Sequence, residues 1–131
     1  MNHASDALPP SGLWIRIAGA LGFLGVALGA FGAHGLRGKI PENLLSAYHT
    51  GVLYHLVHAV AILALALHAR ATGARLTGPL LCLSLGILLF SGSLYVMAIS
   101  GATRLGMITP FGGVLFLVGW AWVSICLGRR A

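Results

Sequence analysis

Charged side chains divide the chain into four long uncharged stretches, at residues 17–36, 43–69, 76–103 and 105–128. Each stretch is at least 20 residues long. About 20 helical residues, each rising 1.5 Å, are needed to cross the hydrocarbon core of a bilayer. The pattern therefore predicts four transmembrane helices.

Short links rich in glycine and arginine separate these stretches and set the expected helix bounds. We expect helices at about 13–33, 44–68, 79–100 and 108–127. Because the links are short, consecutive helices must be antiparallel neighbours. The predicted fold class is an all-α membrane protein, with four antiparallel helices in an up-down bundle. This single domain, 13–128, follows a mobile N-terminal tail at 1–12 and precedes a basic C-terminal end at 129–131.

Composition excludes a water-soluble globular domain. Of 131 residues, 58% are hydrophobic and 8% are charged, whereas a soluble domain is about 25% charged. The net charge of +6 could suggest nucleic acid. However, the basic residues stand at the ends of the apolar segments and form no cluster on one face, as phosphate binding would require. They are typical of anchors at the membrane interface, and we expect no nucleic-acid partner.

The basic residues also indicate an orientation. Four crossings put both termini and the second link on one side of the membrane. That side holds five basic residues and the other side three: Arg16, Arg70, Arg75, Arg129 and Arg130 against Arg37, Lys39 and Arg104. The positive-inside rule then places the termini in the cytoplasm.

Small residues form a stripe along the first helix. They are separated by four, three, four and three positions: Ala18, Gly22, Gly25, Gly29 and Gly32. Missing side chains on one face let a second backbone approach closely, so the stripe predicts a helix-packing seam. A backbone lining for a ligand channel is the alternative.

Polar side chains fall inside the second and third predicted helices. On the second helix, four residues spaced by three, four and three share one face: Tyr48, Gly51, His55 and His58. Polar groups without water must find partners within the protein, so we expect this face to meet the polar residues of the third helix. The candidate polar cluster, or cavity lining, is His55, His58, Ser91, Ser93 and Tyr95.

Four local strings resemble successive signatures of the YgdD/YwdK-like family of small bacterial inner-membrane proteins. They are LGAFGAHGL at 28–36, YHLVHA at 54–59, FSGSLY at 90–95, and TPFGG at 109–113 continuing to Gly119 and Trp120. The resemblance covers nearly the whole span from the first helix to Gly128, and a small animal transmembrane protein is also similar. It implies a multi-pass protein of the bacterial inner membrane in a domain-of-unknown-function family, and it supplies no catalytic residues.

The leading functional hypothesis is a non-enzymatic bundle that acts through helix packing, as an accessory or assembly subunit or as a small oligomer. Asp6 and Glu42 are the carboxylates of the chain, and both lie outside the predicted spans. This excludes carboxylate dyads and carboxylate-rich metal sites at the midplane. The expected partners are lipid and other membrane-protein helices, with no cofactor.

Two alternatives stay open. The first is handling of a small molecule, lipid or proton in an internal polar cavity between the second and third helices. Neutral imidazoles and hydroxyls there suit a dipolar solute or a proton. The second is haem or copper binding through histidines, with His34 and His49 paired across the first link and Met107 nearby.

Overall fold

A computed structural model describes residues 10–129 of the chain, and within that range it contains helices and no strand. The α-helices are α1 (Pro10–Phe31), α2 (Glu42–Thr72), α3 (Thr77–Gly86), α4 (Gly92–Ser100) and α5 (Thr109–Gly128). One π-helical turn, Gly32–Leu36, extends α1, and another, Ile87–Ser91, joins α3 to α4. A 3₁₀ turn, Thr103–Met107, precedes α5. The all-α fold predicted from the sequence is confirmed.

The four membrane spans are Ser11–Leu36, Glu42–Thr72, Thr77–Ser100 and Thr103–Gly128, each long and apolar enough to cross a bilayer. Large apolar side chains cover their outer surfaces: Phe23 is 74% exposed and Leu117 is 72% exposed. Side chains of this kind are stable on an outer surface when lipid, rather than water, surrounds it.

The helices are longer at several ends than the sequence predicts. The predicted tail, 1–12, overlaps α1, because Pro10 is already helical; a proline is favourable in the first helical turn, where its missing N–H costs nothing. Residues 1–9 of that tail, and 130–131 of the basic end, lie outside the described residues. The second helix ends at Thr72 instead of about 68, where Gly73 takes a left-handed φ of 72° and its N–H bonds to the Ala69 carbonyl.

Contacts between helices follow the chain order. α1 packs mainly against α2, and α5 packs mainly against α3. Along α1 and α2 the order of contacts is antiparallel, since Gly29 lies against Val52 and Gly32 lies against Tyr48. Residue numbers thus rise on one helix as they fall on the other.

Two apolar cores lie along the length of the bundle. The larger core is near the end that carries the chain termini and includes Trp14, Ile62, Leu80, Leu83 and Phe116. The smaller one lies toward the opposite end and includes Leu36, Leu45, Tyr48, Tyr95 and Ala98. Trp14, whose position near the end of a span is typical of an interfacial belt, is instead buried and fixes the start of α1 in the core.

Candidate functional site at the buried histidines

The first histidine of the predicted cluster bonds to the backbone of α1. His55 is buried, and its Nε2 lies 2.7 Å from the carbonyl oxygen of Leu21. Four residues beyond Leu21 is Gly25, and a β-carbon there would lie 3.3 Å from the Cδ2 of His55. Because Gly25 has no side chain, the imidazole reaches a carbonyl that a larger residue would crowd. A carbonyl oxygen has two lone pairs, so it can accept this bond besides its helical one.

The second nitrogen of His55 joins α2 to α4. Its Nδ1 lies 2.8 Å from the hydroxyl oxygen of Tyr95. Since the Leu21 carbonyl can only accept, Nε2 carries the proton and donates; Nδ1 is then the acceptor for the Tyr95 O–H. A neutral imidazole satisfies both bonds at once. The direct contact also means that the two side chains close on each other, with no ligand between them.

Tyr48 repeats the same arrangement one heptad away. Its hydroxyl donates to the carbonyl oxygen of Leu28 at 2.5 Å, and the side chain is fully buried. Four residues beyond Leu28 is Gly32, where a β-carbon would overlap the Tyr48 ring. The missing side chain of Gly25 thus leaves the Leu21 carbonyl accessible to His55. The missing side chain of Gly32 does the same for the Leu28 carbonyl and Tyr48. The spacing on α2 predicts that Tyr48 shares the polar face but not that it belongs to the site; the signal for its role is the matching seven-residue spacing of the two pairs.

The two serines bond to different helices. Ser91 donates to the carbonyl oxygen of Gly51 at 2.7 Å and so ties the π-helical turn before α4 to α2. Ser93 donates to the carbonyl oxygen of Phe90 at 2.9 Å, and its oxygen lies 2.6 Å from the hydroxyl of Thr109. Ser93 therefore faces α5, away from the histidines.

His58 forms a second, separate cluster with α5. Its Nδ1 donates to the Tyr54 carbonyl at 2.6 Å, and its Nε2 accepts the indole N–H of Trp120 at 3.0 Å. The ring stacks on Phe116 with centroids 3.7 Å apart and planes 11° from parallel. As with His55, one nitrogen donates and the other accepts, which is the pattern of a neutral imidazole.

Comparison with known proteins identifies the family. Residues 28–113 match the family model described as a protein of unknown function, DUF423. The chain belongs to the DUF423 family. No solved structure matches it.

DUF423 relatives occur in bacteria and in a fungus. The membrane protein YwdK of Bacillus subtilis is 45% identical over 113 residues, which are 83% of this chain and 91% of that protein. A UPF0382 membrane protein of Haemophilus influenzae is 41% identical over 115 residues, 88% and 91% of the two chains. The membrane protein C1782.12c of Schizosaccharomyces pombe is 38% identical over 119 residues, which are 86% of this chain and 98% of that protein. These matches confirm the resemblance inferred from the four strings, and the relatives' names describe membrane proteins without an activity.

In this DUF423 chain the predicted polar cluster is divided in two. We call the first the His55 cluster: Tyr48, His55, Ser91 and Tyr95 with their backbone acceptors. We call the second the His58 cluster: His58, Trp120, Phe116 and the Tyr54 carbonyl. Ser93 belongs to neither.

Part of the glycine stripe of α1 packs against α2. Gly25, Gly29 and Gly32 face α2, and Ala18 is buried in the larger core. At Gly22 a β-carbon would meet nothing within 4 Å. The seam is therefore tight over its last three members and open at Gly22.

The histidines named in the haem or copper alternative lie at the surface. His34 and His49 are exposed, and Met107 is 74% exposed. Within residues 10–129 there is no group of three or more His, Cys, Asp or Glu side chains close enough to hold a metal ion.

Proposed function

We propose that this DUF423 protein is a non-enzymatic integral membrane protein that acts as an accessory or assembly subunit, or as a small oligomer, through the outer faces of its helices. The observation that carries the proposal is the use of both midplane histidines within the chain. His55 and His58 each have one donor bond and one acceptor bond to neighbouring helices or backbone. Neutral, fully bonded imidazoles connect helices and leave no nitrogen for substrate.

The outer faces of the first and fourth spans support the proposal. In the most apolar stretch of the first span 11% of residues are buried, and in that of the fourth span 17%. The corresponding fractions are 44% in the second span and 39% in the third. Near the middle of α1, Gly19 and Gly22 have no neighbouring atom within 4 Å of a β-carbon position. Small residues on a free transmembrane surface allow a second helix to approach closely.

We further propose that the protein lies in the bacterial cytoplasmic membrane with both termini in the cytoplasm. The described basic side chains at the terminal end are Arg16, Arg70, Arg75 and Arg129, against Arg37, Lys39 and Arg104 at the other end. The excess on the terminal side supports this orientation by the positive-inside rule.

Cysteine crosslinking in native membranes tests the proposed lateral contact. In a background with Cys82→Ser and Cys126→Ser, a cysteine replaces exposed Val26 of α1, which lies on the same helix face as Gly19 and Gly22. A matched control replaces exposed Val60 on α2. We expect crosslinked species from position 26, as a homodimer or with a partner chain, and far fewer from position 60. Monomer alone from both positions, under conditions that crosslink a known membrane dimer, contradicts the proposal.

A further inference from the structure

An open groove lies beside the His58 cluster, between α2 and α5 at the π-helical turn of the third span. Its volume is about 480 Å³, and six of its lining residues are Tyr54, His58, Phe90, Pro110, Phe116 and Trp120. Small-molecule sites have volumes of about 300–1,000 Å³. Tyr54 is 40% exposed and Trp120 is 44% exposed, so the groove opens onto the surface that lipid surrounds.

Three of the aromatic rings that line the groove, His58, Phe116 and Tyr54, lie in nearly parallel planes. The plane of His58 lies 11° from that of Phe116 and 12° from that of Tyr54. The Tyr54 ring also packs on Phe90, with centroids 4.5 Å apart. The Trp120 ring is inclined 63° to His58 and is 44% exposed, and the electron-rich face of a tryptophan attracts an electron-poor ring.

The groove offers one free hydrogen-bonding group. His58 uses both nitrogens, and the Trp120 N–H is donated to His58. The Tyr54 hydroxyl has no hydrogen-bond partner among residues 10–129. Tyr54 is three residues, about 4.5 Å, from the middle of α2, whereas phospholipid carbonyls lie about 15 Å from the midplane, outside the hydrocarbon core. A lipid-soluble molecule that enters the core can supply a partner for this hydroxyl.

No charged side chain lines the groove, which disfavours an ionic headgroup. We propose that the groove binds the planar ring of a lipid-soluble quinone. The quinone ring stacks against Trp120, a ring carbonyl accepts the Tyr54 O–H, and the apolar tail leaves into the bilayer. This site goes beyond the proposed packing function and does not depend on it.

Binding of decylubiquinone to the purified full chain in phosphatidylcholine nanodiscs tests the site. Tryptophan fluorescence should be quenched saturably, and Trp120→Phe should remove most of the saturable signal while Trp122→Phe should not. Tyr54→Phe deletes only the hydroxyl, so we expect Kd to rise roughly three- to tenfold. Decylbenzene, which lacks the ring oxygens, should not compete.

Two glycine substitutions give a matched steric test. A β-carbon at Gly113 would lie 3.9 Å from the Phe90 ring and otherwise meet open space, so Gly113→Leu should fill the groove and raise Kd more than tenfold. Gly128→Leu, at an open position near the end of the same helix and outside the groove, should leave Kd unchanged. Circular dichroism melting should show both variants folded. Equal affinity in wild type, Tyr54→Phe and Gly113→Leu would overturn the site, and equal competition by decylbenzene would overturn the quinone assignment.

Discussion

The contact between Gly32 and Tyr48 makes the substitution Gly32→Ala a sensitive probe of the α1–α2 seam. A β-carbon at position 32 would lie 2.8 Å from the Cδ1 atom of Tyr48 and closer still to Cε1. Tyr48 is 0% exposed and its hydroxyl is bonded to Leu28, so the ring has no free space to enter. The ring must therefore shift within a filled core and, in shifting, lose its hydrogen bond to Leu28.

The magnitude follows from three terms. Overpacking a filled core costs about 1–3 kcal/mol, and a buried hydroxyl left without its acceptor costs about 1–3 kcal/mol. Replacing a helical glycine by alanine returns about 1 kcal/mol through helix propensity. The net expectation for Gly32→Ala is a loss of about 1–5 kcal/mol in the free energy of unfolding. Gly22→Ala, where a β-carbon meets nothing within 4 Å, should instead be neutral or gain up to about 1 kcal/mol.

Unfolding by SDS in mixed detergent micelles, followed by circular dichroism, measures both variants under the same conditions. The double variant Gly32→Ala with Tyr48→Leu removes the ring that the new methyl group meets. Its loss should be smaller than the sum of the two single losses by about 1–2 kcal/mol, since contacting residues couple. Equal stability of the position 32 and position 22 alanine variants, or strict additivity in the cycle, would refute the packing argument.

Three further predictions follow from other contacts. His55→Leu should lower the free energy of unfolding by about 2–4 kcal/mol, because Tyr95 loses its buried acceptor. In the His55→Leu background, Tyr95→Phe should cost less than it costs in the wild type, and the same SDS titration measures this coupling. Gly112→Ala should lower the melting temperature sharply, because a β-carbon there would overlap the Phe90 backbone, whereas neighbouring Gly113→Ala should leave it nearly unchanged. Alkaline phosphatase fused to the C-terminus should be inactive and a fluorescent protein fused there should fluoresce, and the reverse pattern would place the termini outside.

The sequence predicts the spans well because their signal is composition. Uncharged stretches of at least 20 residues are sufficient to count four spans, and the described residues contain four. The helix ends differ by a few residues, since polar residues such as Thr72 continue a helix beyond its apolar stretch. The two π-helical turns leave no periodic signal that would reveal them.

Some members of the two clusters were predictable from the sequence, but their pairings were not. A shared face on α2 follows from spacings of three and four, and it holds both His55 and His58. Which partner each imidazole takes depends on how the helices rotate and where they cross. The acceptor of His55 is a backbone carbonyl 34 residues away, and the donor to His58 is an indole 62 residues away. Neither relation has a local sequence pattern.

The spacing of the α1–α2 bonds suggests how this helix pair selects one register. The acceptors Leu21 and Leu28 are seven residues apart on α1, and the donors His55 and Tyr48 are seven residues apart on α2. In the observed antiparallel alignment both donors are satisfied, and sliding α2 by one helical turn would break both bonds in a medium without water. The glycines permit the close approach but do not select the register alone, because Gly22 and Gly29 leave the carbonyls of Ala18 and Gly25 open at the same seven-residue spacing. The side chains packed on the glycines therefore contribute to the register: the Tyr48 ring lies over Gly32 and Val52 lies over Gly29.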